Sequence, residues 1–288
     1  MKSKPLETGL KTIQLISTLE LNNLRKLSIQ ISLSGLSFCI FNSRDSEVEF
    51  LKRIEFKSKL TPEAVLEELQ AVITNEPLLS QPFDTVLVLF QNELSNLVPA
   101  AFFEEQNAAD YLKFSSKIIK TDFISYDKIE AIDSINVFVP YININNYLFE
   151  TYGEFEYKHA SSIFLEQILK EIKVDANEDH IYINVAPYHF EMVAIKAGKL
   201  QLYNTFEYFT KEDFIYFVLF AIEQLKLNTE TVIVKLTGRI TKGDELYQLL
   251  YTYIRYVEFD EPSKPYTFED ANQIQSKHEH TLILNSFN

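Results

Sequence analysis

The stretch Leu27–Phe41, LSIQISLSGLSFCIF, decides the fold of this protein. Its first residues alternate between apolar side chains and serine or glutamine, a pattern typical of a strand. The dipeptide Ser34-Gly35 favours a tight turn, after which a second strand runs to the end of the stretch. A third strand is predicted from Val48 to Phe56. The sequence therefore predicts a meander of three antiparallel strands.

A helix and a buried strand are predicted after this meander. Thr61-Pro62 combines a residue that caps helices with a proline favoured in the first helical turn. Val65 and Leu69 then share one helical face with later apolar residues. The run of residues 84–90, DTVLVLF, is almost continuously apolar, as in a strand buried on both faces. The predicted order is thus three strands, a helix and a buried strand.

The second half of the sequence repeats this order. Three strands are predicted within residues 180–208, where apolar and polar residues alternate around two breaks. Thr210 and Asp213 match a capping box at the start of a helix. Residues 231–236 then form a second buried strand. Both halves of the sequence therefore predict the same elements in the same order.

The spacing of these elements indicates duplication of one unit. The two predicted helix caps are 149 positions apart, and the two buried strands are 146 positions apart. A nearly constant offset over several elements is the mark of an internal repeat. We predict two halves, residues 1–174 and 175–288, with a helix over residues 155–172 before the boundary.

The composition excludes several classes of partner. Among 288 residues, 27 are Lys or Arg and 41 are Asp or Glu, which gives a formal net charge of −14. Such a charge repels nucleic acids and anionic membrane surfaces, so neither is an expected partner. With 46% hydrophobic residues, the chain can fill a large core. Only 6 residues are glycine, on which phosphate-binding loops depend.

The sequence predicts a cytoplasmic protein. Met1–Glu7 carry charge, and no apolar run of signal-peptide length follows them. The most apolar window, Phe214–Ile222, is too short to cross a bilayer, so we predict a buried helix there and no membrane insertion. The single cysteine, Cys39, lies in an apolar strand and is expected to be a buried structural thiol.

The predicted order of elements resembles the actin-like ATPase fold, which has two ribonuclease-H-like halves around a cleft. Five segments are also similar to an uncharacterised Bacteroidota family that resembles this fold and the actin-like pilus-assembly proteins: Leu27–Phe38, Leu97–Phe103, Tyr111-Leu112, Ile135–Pro140 and His159–Ile163. The resemblance implies an α/β protein with two duplicated halves, whose mixed sheets are flanked by helices. It implies no established reaction.

In actin-like ATPases, ATP and a divalent cation bind in the cleft, and each half supplies a phosphate loop containing Asp and Gly. Carboxylates organise the hydrated metal, and glycine lets backbone N–H groups approach the phosphates. The resemblance places the first loop at Ser32–Leu36, which keeps Gly35 and the Ser32 and Ser34 hydroxyls but lacks an acidic residue. A plain hairpin turn is the alternative interpretation of this segment.

The second and third loops depart further from the pattern. The second would be Asn184–His189, which has neither glycine nor carboxylate, and where Pro187 removes a backbone donor. The third follows a buried strand and keeps Gly238, but Arg239 stands where a second glycine is usual. Nucleotide hydrolysis is therefore not expected. An ordinary strand end is the alternative interpretation of Gly238.

We predict a non-catalytic actin-like scaffold or interaction protein, a pseudo-ATPase with an unidentified protein partner. No catalytic residue, metal or required cofactor is expected. The candidate binding residues in the cleft are Ser32, Ser34, Gly35, Asn184, Gly238 and Arg239. The alternative is an ATP-dependent enzyme with atypical phosphate loops. That enzyme would use ATP and Mg²⁺, and Gln91 and Glu93 would position water.

Other chemistries find less support. The first strand lacks the carboxylates that a ribonuclease-H-like nuclease needs for its metals. His278 and His280 would share a face of an extended segment, but no third ligand is evident, and we favour a solvated tail strand. The 16 tyrosines and 23 phenylalanines are expected mainly to fill cores. Tyr247 and Tyr251 share a helical face that suits either a core or a protein-binding surface.

Overall fold

The computed structural model describes residues 25–113, 118, 122–172, 178–268 and 276–288. The predicted boundary between residues 174 and 175 lies outside the described residues, as does the segment Met1–Glu7. The described residues form an α/β protein with mixed sheets and two halves of related topology.

The first half contains the predicted meander, helix and buried strand in the predicted order. The first hairpin turns at Leu33-Ser34, one residue before the predicted dipeptide. The Thr61 hydroxyl accepts a hydrogen bond from the Ala64 amide, which confirms the predicted helix cap. The elements are β1 (Arg25–Ser32), β2 (Gly35–Asn42), β3 (Glu47–Glu55), α1 (Pro62–Asn75), β4 (Thr85–Phe90), β5 (Ser95–Pro99), β6 (Ser125–Ile129), β7 (Ser134–Phe138), α2 (Ile142–Tyr152), β8 (Glu156–His159) and α3 (Ala160–Ile172).

The second half repeats this arrangement, and its described residues contain no strands that correspond to β5, β6 and β7. The predicted capping box is confirmed, because the Thr210 hydroxyl accepts from the Asp213 amide and the Asp213 carboxylate accepts from the Thr210 amide. The elements are β9 (His180–Val185), β10 (His189–Lys196), β11 (Lys199–Glu207), α4 (Lys211–Gln224), β12 (Ile233–Gly238), α5 (Glu245–Tyr253), β13 (Tyr256–Phe259), β14 (Thr267–Phe268) and α6 (Thr281–Asn285).

Strand order confirms the repetition that the spacing predicts. The main sheet of the first half runs β14-β3-β2-β1-β4-β8, and that of the second half runs β11-β10-β9-β12-β13. Apart from β14, the two orders are equivalent strand for strand. In each half the buried strand is parallel to the first strand of the meander, β4 to β1 and β12 to β9. The additional strands β5, β7 and β6 form a small separate sheet in the first half.

Apolar helices cover one face of each main sheet. On the first sheet, Val65 and Leu69 of α1 are fully buried in one cluster with Ile29 of β1. On the second sheet, Phe214 of α4 packs edge-on against Phe190 of β10, with ring centroids 4.7 Å apart. Burial of such side chains supplies the main driving force for folding of each half.

Helix α3 lies between the halves and packs against both. Its residue Ile168 belongs to one buried cluster with Leu89 of the first half and Val193 of the second. The predicted helix over residues 155–172 is wrong in its first turn, where the chain forms β8 instead. Tyr157 lies opposite Val88 in a parallel pair with β4, so pairing at the sheet edge overrides the local helical pattern.

The C-terminal residues return to the first half. β14 pairs with β3, and α6 contacts β1, β2 and β12. Ile283 is buried together with Cys39, which confirms the expected buried thiol. Ser28 is fully buried and accepts a hydrogen bond from the Ser286 hydroxyl at 2.8 Å. Ser28 of β1 therefore faces a covering segment rather than solvent.

The histidine motif adopts a structure different from the predicted one. Residues Lys277–His280 form a turn of 3₁₀-helix, so the predicted solvated tail strand is wrong. His278 is buried, and its Nε2 lies 2.7 Å from the carbonyl oxygen of Ile240. Its ring also packs against Phe259, with centroids 4.1 Å apart. The imidazole is held by packing and by a backbone acceptor beside β12, contacts that local sequence does not indicate.

Candidate functional site

The three segments that the resemblance assigns to phosphate loops meet at one small cavity between the halves. The hairpin β1–β2, the end of β9 and the end of β12 all reach it, and Glu279 and His280 close one side. Five of the six predicted cleft residues line this cavity: Ser32, Ser34, Gly35, Asn184 and Gly238. The sixth, Arg239, reaches across the cleft to Glu55 of β3. The topology therefore brings together residues that are about half the chain apart.

The first loop uses its polar groups internally. The Ser32 hydroxyl donates to the Gly35 carbonyl oxygen at 3.0 Å and accepts from the Ser34 amide at 3.2 Å. The Ser32 and Ser34 hydroxyl oxygens are 3.1 Å apart. A Cβ added at Gly35 would lie 2.4 Å from the carbonyl oxygen of Ile54. Close approach of β3 therefore explains this glycine without a ligand.

The second loop is anchored by a buried carboxylate. The Asn184 side-chain amide donates to Glu191 Oε2 at 2.8 Å, and its Oδ1 accepts from the Thr237 hydroxyl at 3.3 Å. Both polar ends of this amide are thus bound within the second half. The Ala186 amide donates to the His189 carbonyl oxygen at 2.9 Å, which closes the turn around Pro187.

Gly238 and Arg239 extend the pairing between β12 and β9. Gly238 has φ of +77°, and an added Cβ would lie 2.3 Å from the Val185 carbonyl oxygen. The Arg239 amide donates to that same oxygen at 2.7 Å. A residue with a side chain would both adopt an unfavourable backbone conformation and push β9 away. Strand packing therefore requires the glycine.

A chain of ion pairs crosses the mouth of the cleft. The Arg239 guanidinium lies 2.8 Å from the Glu55 carboxylate, which is also 3.3 Å from Arg53. Arg53 in turn lies 3.7 Å from Glu279. Burial lowers the pKa of His280 to about 4, and the positive charge of Arg53 contributes in the same direction. His280 is therefore neutral at pH 7.

Little space remains between these groups. The cavity has a volume of about 50 Å³, whereas sites for drug-sized ligands measure roughly 300–1,000 Å³. On the other side of the first loop, a space of about 20 Å³ lies among Lys59, Glu93 and His189. The residues assigned to water positioning are also engaged. Gln91 accepts from Gln30 at 2.7 Å, and Glu93 accepts from Lys59 at 2.6 Å.

Sequence reasoning missed Glu191. This residue is 1% exposed in the middle of β10, and burial raises its pKa to about 7. Hydrogen bonds from Asn184 and from the Tyr203 hydroxyl, the latter at 3.4 Å, oppose that rise. One signal was available, since Glu191 is the only charged residue in the apolar run 190–195. A buried carboxylate must have partners, and these come from β9 and β11.

A second buried polar network, also missed, joins the small sheet to α3. His159 Nε2 lies 3.1 Å from the Asn92 carbonyl oxygen, so Nε2 carries the proton and Nδ1 accepts from the Ser161 hydroxyl at 2.6 Å. The Asn136 side-chain amide donates to the Ser161 and Ser162 hydroxyls at 3.0 and 2.9 Å. Ser162 donates to Asp127 Oδ2 at 2.6 Å. These fully buried hydroxyls fix the start of α3 and cannot meet a substrate.

Two features of the described residues bear on ligands and membranes. Within the described ranges, no three His, Cys, Asp or Glu side chains are grouped so that they could hold a metal ion. None of the helices in those ranges has the length and apolar character that crossing a bilayer requires.

Sequence comparison identifies the family. The model of a family described as "Protein of unknown function (DUF3822)" matches residues 17–257, which is most of the chain. The chain belongs to this family. No curated protein matches the DUF3822 chain significantly.

Solved structures share the fold of the DUF3822 chain. One is a Bacteroides thetaiotaomicron protein with an actin-like ATPase fold and unknown function, with a TM-score of 0.73 and 23% identity over 83% of this chain and 91% of that one. Another is from the PilM-PilN type IV pilus biogenesis complex, with a TM-score of 0.61 and 12% identity over 92% and 98%. The expected actin-like ATPase fold is confirmed.

Proposed function

We propose that this DUF3822 chain is a non-catalytic scaffold of the actin-like fold that acts in the cytoplasm by binding a partner protein. The proposal rests on how the polar groups of the cleft are hydrogen-bonded and on how little volume lies between them. The Ser32 hydroxyl and the Asn184 side-chain amide both donate within the protein, and about 50 Å³ of space remains between the loops. A site for a nucleotide would need unused backbone donors and several times that volume.

The ion pairs at the mouth of the cleft support the same proposal. Arg239 is positioned by a backbone hydrogen bond to Val185 and pairs with Glu55 of the other half. The Arg239 guanidinium therefore already pairs with a carboxylate of the protein, which competes with any phosphate for this cation. The chain also shares its fold with a protein of the PilM-PilN complex, an assembly of two proteins. This likeness supports a role for the fold in binding a partner protein.

Thermal unfolding with and without nucleotide tests the proposal. Any ligand that binds the native state selectively raises the midpoint of unfolding by mass action. We expect no change in midpoint with millimolar ATP or ADP in the presence of Mg²⁺. A rise that requires Mg²⁺ would overturn the proposal in favour of the ATP-dependent enzyme.

A phosphate-release assay adds an independent measurement. We expect the wild-type protein with ATP and Mg²⁺ to release no more phosphate than a variant that combines Ser34→Ala and Asn184→Ala. Release above that background would show that the loops support hydrolysis despite their missing carboxylates. Circular dichroism of the double variant establishes that the comparison is between folded proteins.

A further inference from the structure

A large groove of the described surface lies away from the cleft cavity, between the small sheet and the second half. Its volume is about 830 Å³. One wall is the start of β5 with the residues before it, and the other is β11 with Phe209 and Phe217. The groove therefore lies between β5 of the small sheet and β11 of the main sheet of the second half.

Both strands are the outer strands of their sheets. β11 pairs only with β10, and β5 pairs only with β7 among the described strands. An outer strand leaves alternate backbone N–H and C=O groups without a strand partner, and these groups can pair with an added extended segment. β11 is nine residues long, so it can pair with a segment of similar length.

An aromatic strip continues from the groove along α4. Phe206 of β11 stacks on Phe217 with ring centroids 5.0 Å apart, and Phe217 contacts Tyr216 at 5.5 Å. Tyr216 then stacks on Phe220 at 5.9 Å. Tyr216 is 59% exposed, Phe220 is 46% exposed, and Phe209 at the groove is 86% exposed. Exposed, mutually packed rings of this kind are typical of the centre of a protein interface.

The charges around this surface are mainly acidic. Glu207 is exposed at the end of β11, and Glu212 and Glu223 are exposed on α4 near the aromatic strip. Two described cations near the groove are already paired: Lys211 at the start of α4 is bound to Glu245 at 3.1 Å, and Lys59 is bound to the groove residue Glu93 at 2.6 Å. Since the whole chain also carries a net charge of −14, a basic segment would be attracted and an acidic one repelled.

We propose that this groove binds an extended segment of a partner protein, in which apolar or aromatic residues alternate with Lys or Arg. The segment pairs with the free edge of β11. Its apolar side chains pack on Phe206 and Phe209, and its cations face Glu207. The inference rests on the proposed scaffold function and specifies which surface and which chemistry perform it.

Selection from a library of random nonapeptides displayed on phage tests this proposal. The full-length protein is the target, and its Phe209→Ser variant removes peptides that bind elsewhere. We expect the retained peptides to alternate apolar and basic residues. Binding of one such synthetic peptide should weaken about tenfold in Phe209→Ser and in Glu207→Lys, as for residues central to an interface.

Two matched variants on α2, outside the groove, serve as controls. Phe149 is 59% exposed and Glu150 is its exposed neighbour, so Phe149→Ser and Glu150→Lys repeat the same chemical changes elsewhere. We expect both to bind the peptide as the wild type does. Hydrogen exchange should slow at the amides of β11 when the peptide binds, because they gain strand partners.

Three results would overturn the groove proposal: no retained peptide, retained peptides that are acidic or have helical spacing, or unchanged exchange at β11. A peptide that protects another surface would also overturn it while leaving the scaffold function standing. A Mg²⁺-dependent rise in the unfolding midpoint with ATP would instead overturn the scaffold function itself. The two failures are therefore distinguishable.

Discussion

The guanidinium of Arg239 lies 2.8 Å from the carboxylate of Glu55, and this pair joins the two halves at the mouth of the cleft. The resemblance to actin-like ATPases implies a second glycine at this position, where the chain has Arg239. Its side chain is instead used for a contact within the protein. The pair therefore connects β3 of the first half to the end of β12 in the second half.

We expect the pair to contribute little to global stability. The two side chains are 47% and 38% exposed, so solvent screens their attraction, and a coupling energy of about 0–1 kcal/mol is expected. A double-mutant cycle with Arg239→Ala and Glu55→Gln, followed by urea unfolding, measures it. The pair Arg255–Glu230, which is more exposed at 3.5 Å, is the control. A coupling above about 2 kcal/mol would contradict this view of the pair.

Replacement of Gly238 by alanine should destabilise the protein more than replacement of Gly153. Both residues have φ of +77°, but an alanine Cβ at Gly153 would meet nothing within 4 Å. Gly153→Ala should therefore cost only a conformational penalty of about 1–3 kcal/mol, since its ψ of −140° lies outside the left-handed helical region. Gly238→Ala must in addition displace the Val185 carbonyl oxygen. Equal losses of the free energy of unfolding would show that β9 accommodates the methyl group freely.

The contribution of Glu191 to stability should fall between about pH 5 and pH 7, whereas buried histidines with a lowered pKa, such as His280, act in the opposite direction and are common to the proteins compared below. The pKa of Glu191 is about 7 in the folded protein and lies near 4.3 in unfolded chains, so the folded state binds the proton over this range and the unfolded state does not. The free energy of unfolding then decreases as pH rises, by at most about 1.4 kcal/mol per pH unit. Glu191→Gln keeps an acceptor for Asn184 and removes this dependence.

Urea unfolding at several pH values measures the difference between wild type and Glu191→Gln. The raised pKa of Asp260, about 7, and that of Asp127, about 6, act in the same direction because both carboxyls are buried. Their contributions are common to both proteins and cancel in the difference. The same pH dependence in both proteins would refute the role assigned to Glu191.

Loss of the Ser162 hydroxyl should weaken the network at the start of α3. In Ser162→Ala, Asp127 loses a hydrogen bond of 2.6 Å, and the Asn136 amide loses one of its acceptors. Removing one partner of a buried polar group costs about 1–3 kcal/mol. Ser43 is the control, because its buried hydroxyl has no hydrogen-bond partner among the described residues, and Ser43→Ala should be neutral or stabilising. Equal effects of the two substitutions on urea unfolding would contradict the prediction.

Local sequence was sufficient to predict most elements of the fold. The stretch 27–41 has the alternation of a hairpin, and Thr61 and Thr210 are helix caps whose hydrogen bonds lie within three residues. These features depend on contacts between near neighbours along the chain, so they can be predicted from the sequence alone. The first turn of the predicted helix at 155–172 failed because Tyr157 pairs with distant Val88.

The sequence by itself determined which phosphate-loop residues are absent, since a missing carboxylate or glycine is visible without a structure. Only the tertiary structure decided what the remaining groups do. Arg239 pairs with Glu55, Asn184 binds Glu191, and His280 closes the cleft from the C-terminal segment. These partners come from strands and turns far apart in the chain. Their meeting depends on how the two sheets and the covering α6 pack, which no local pattern specifies.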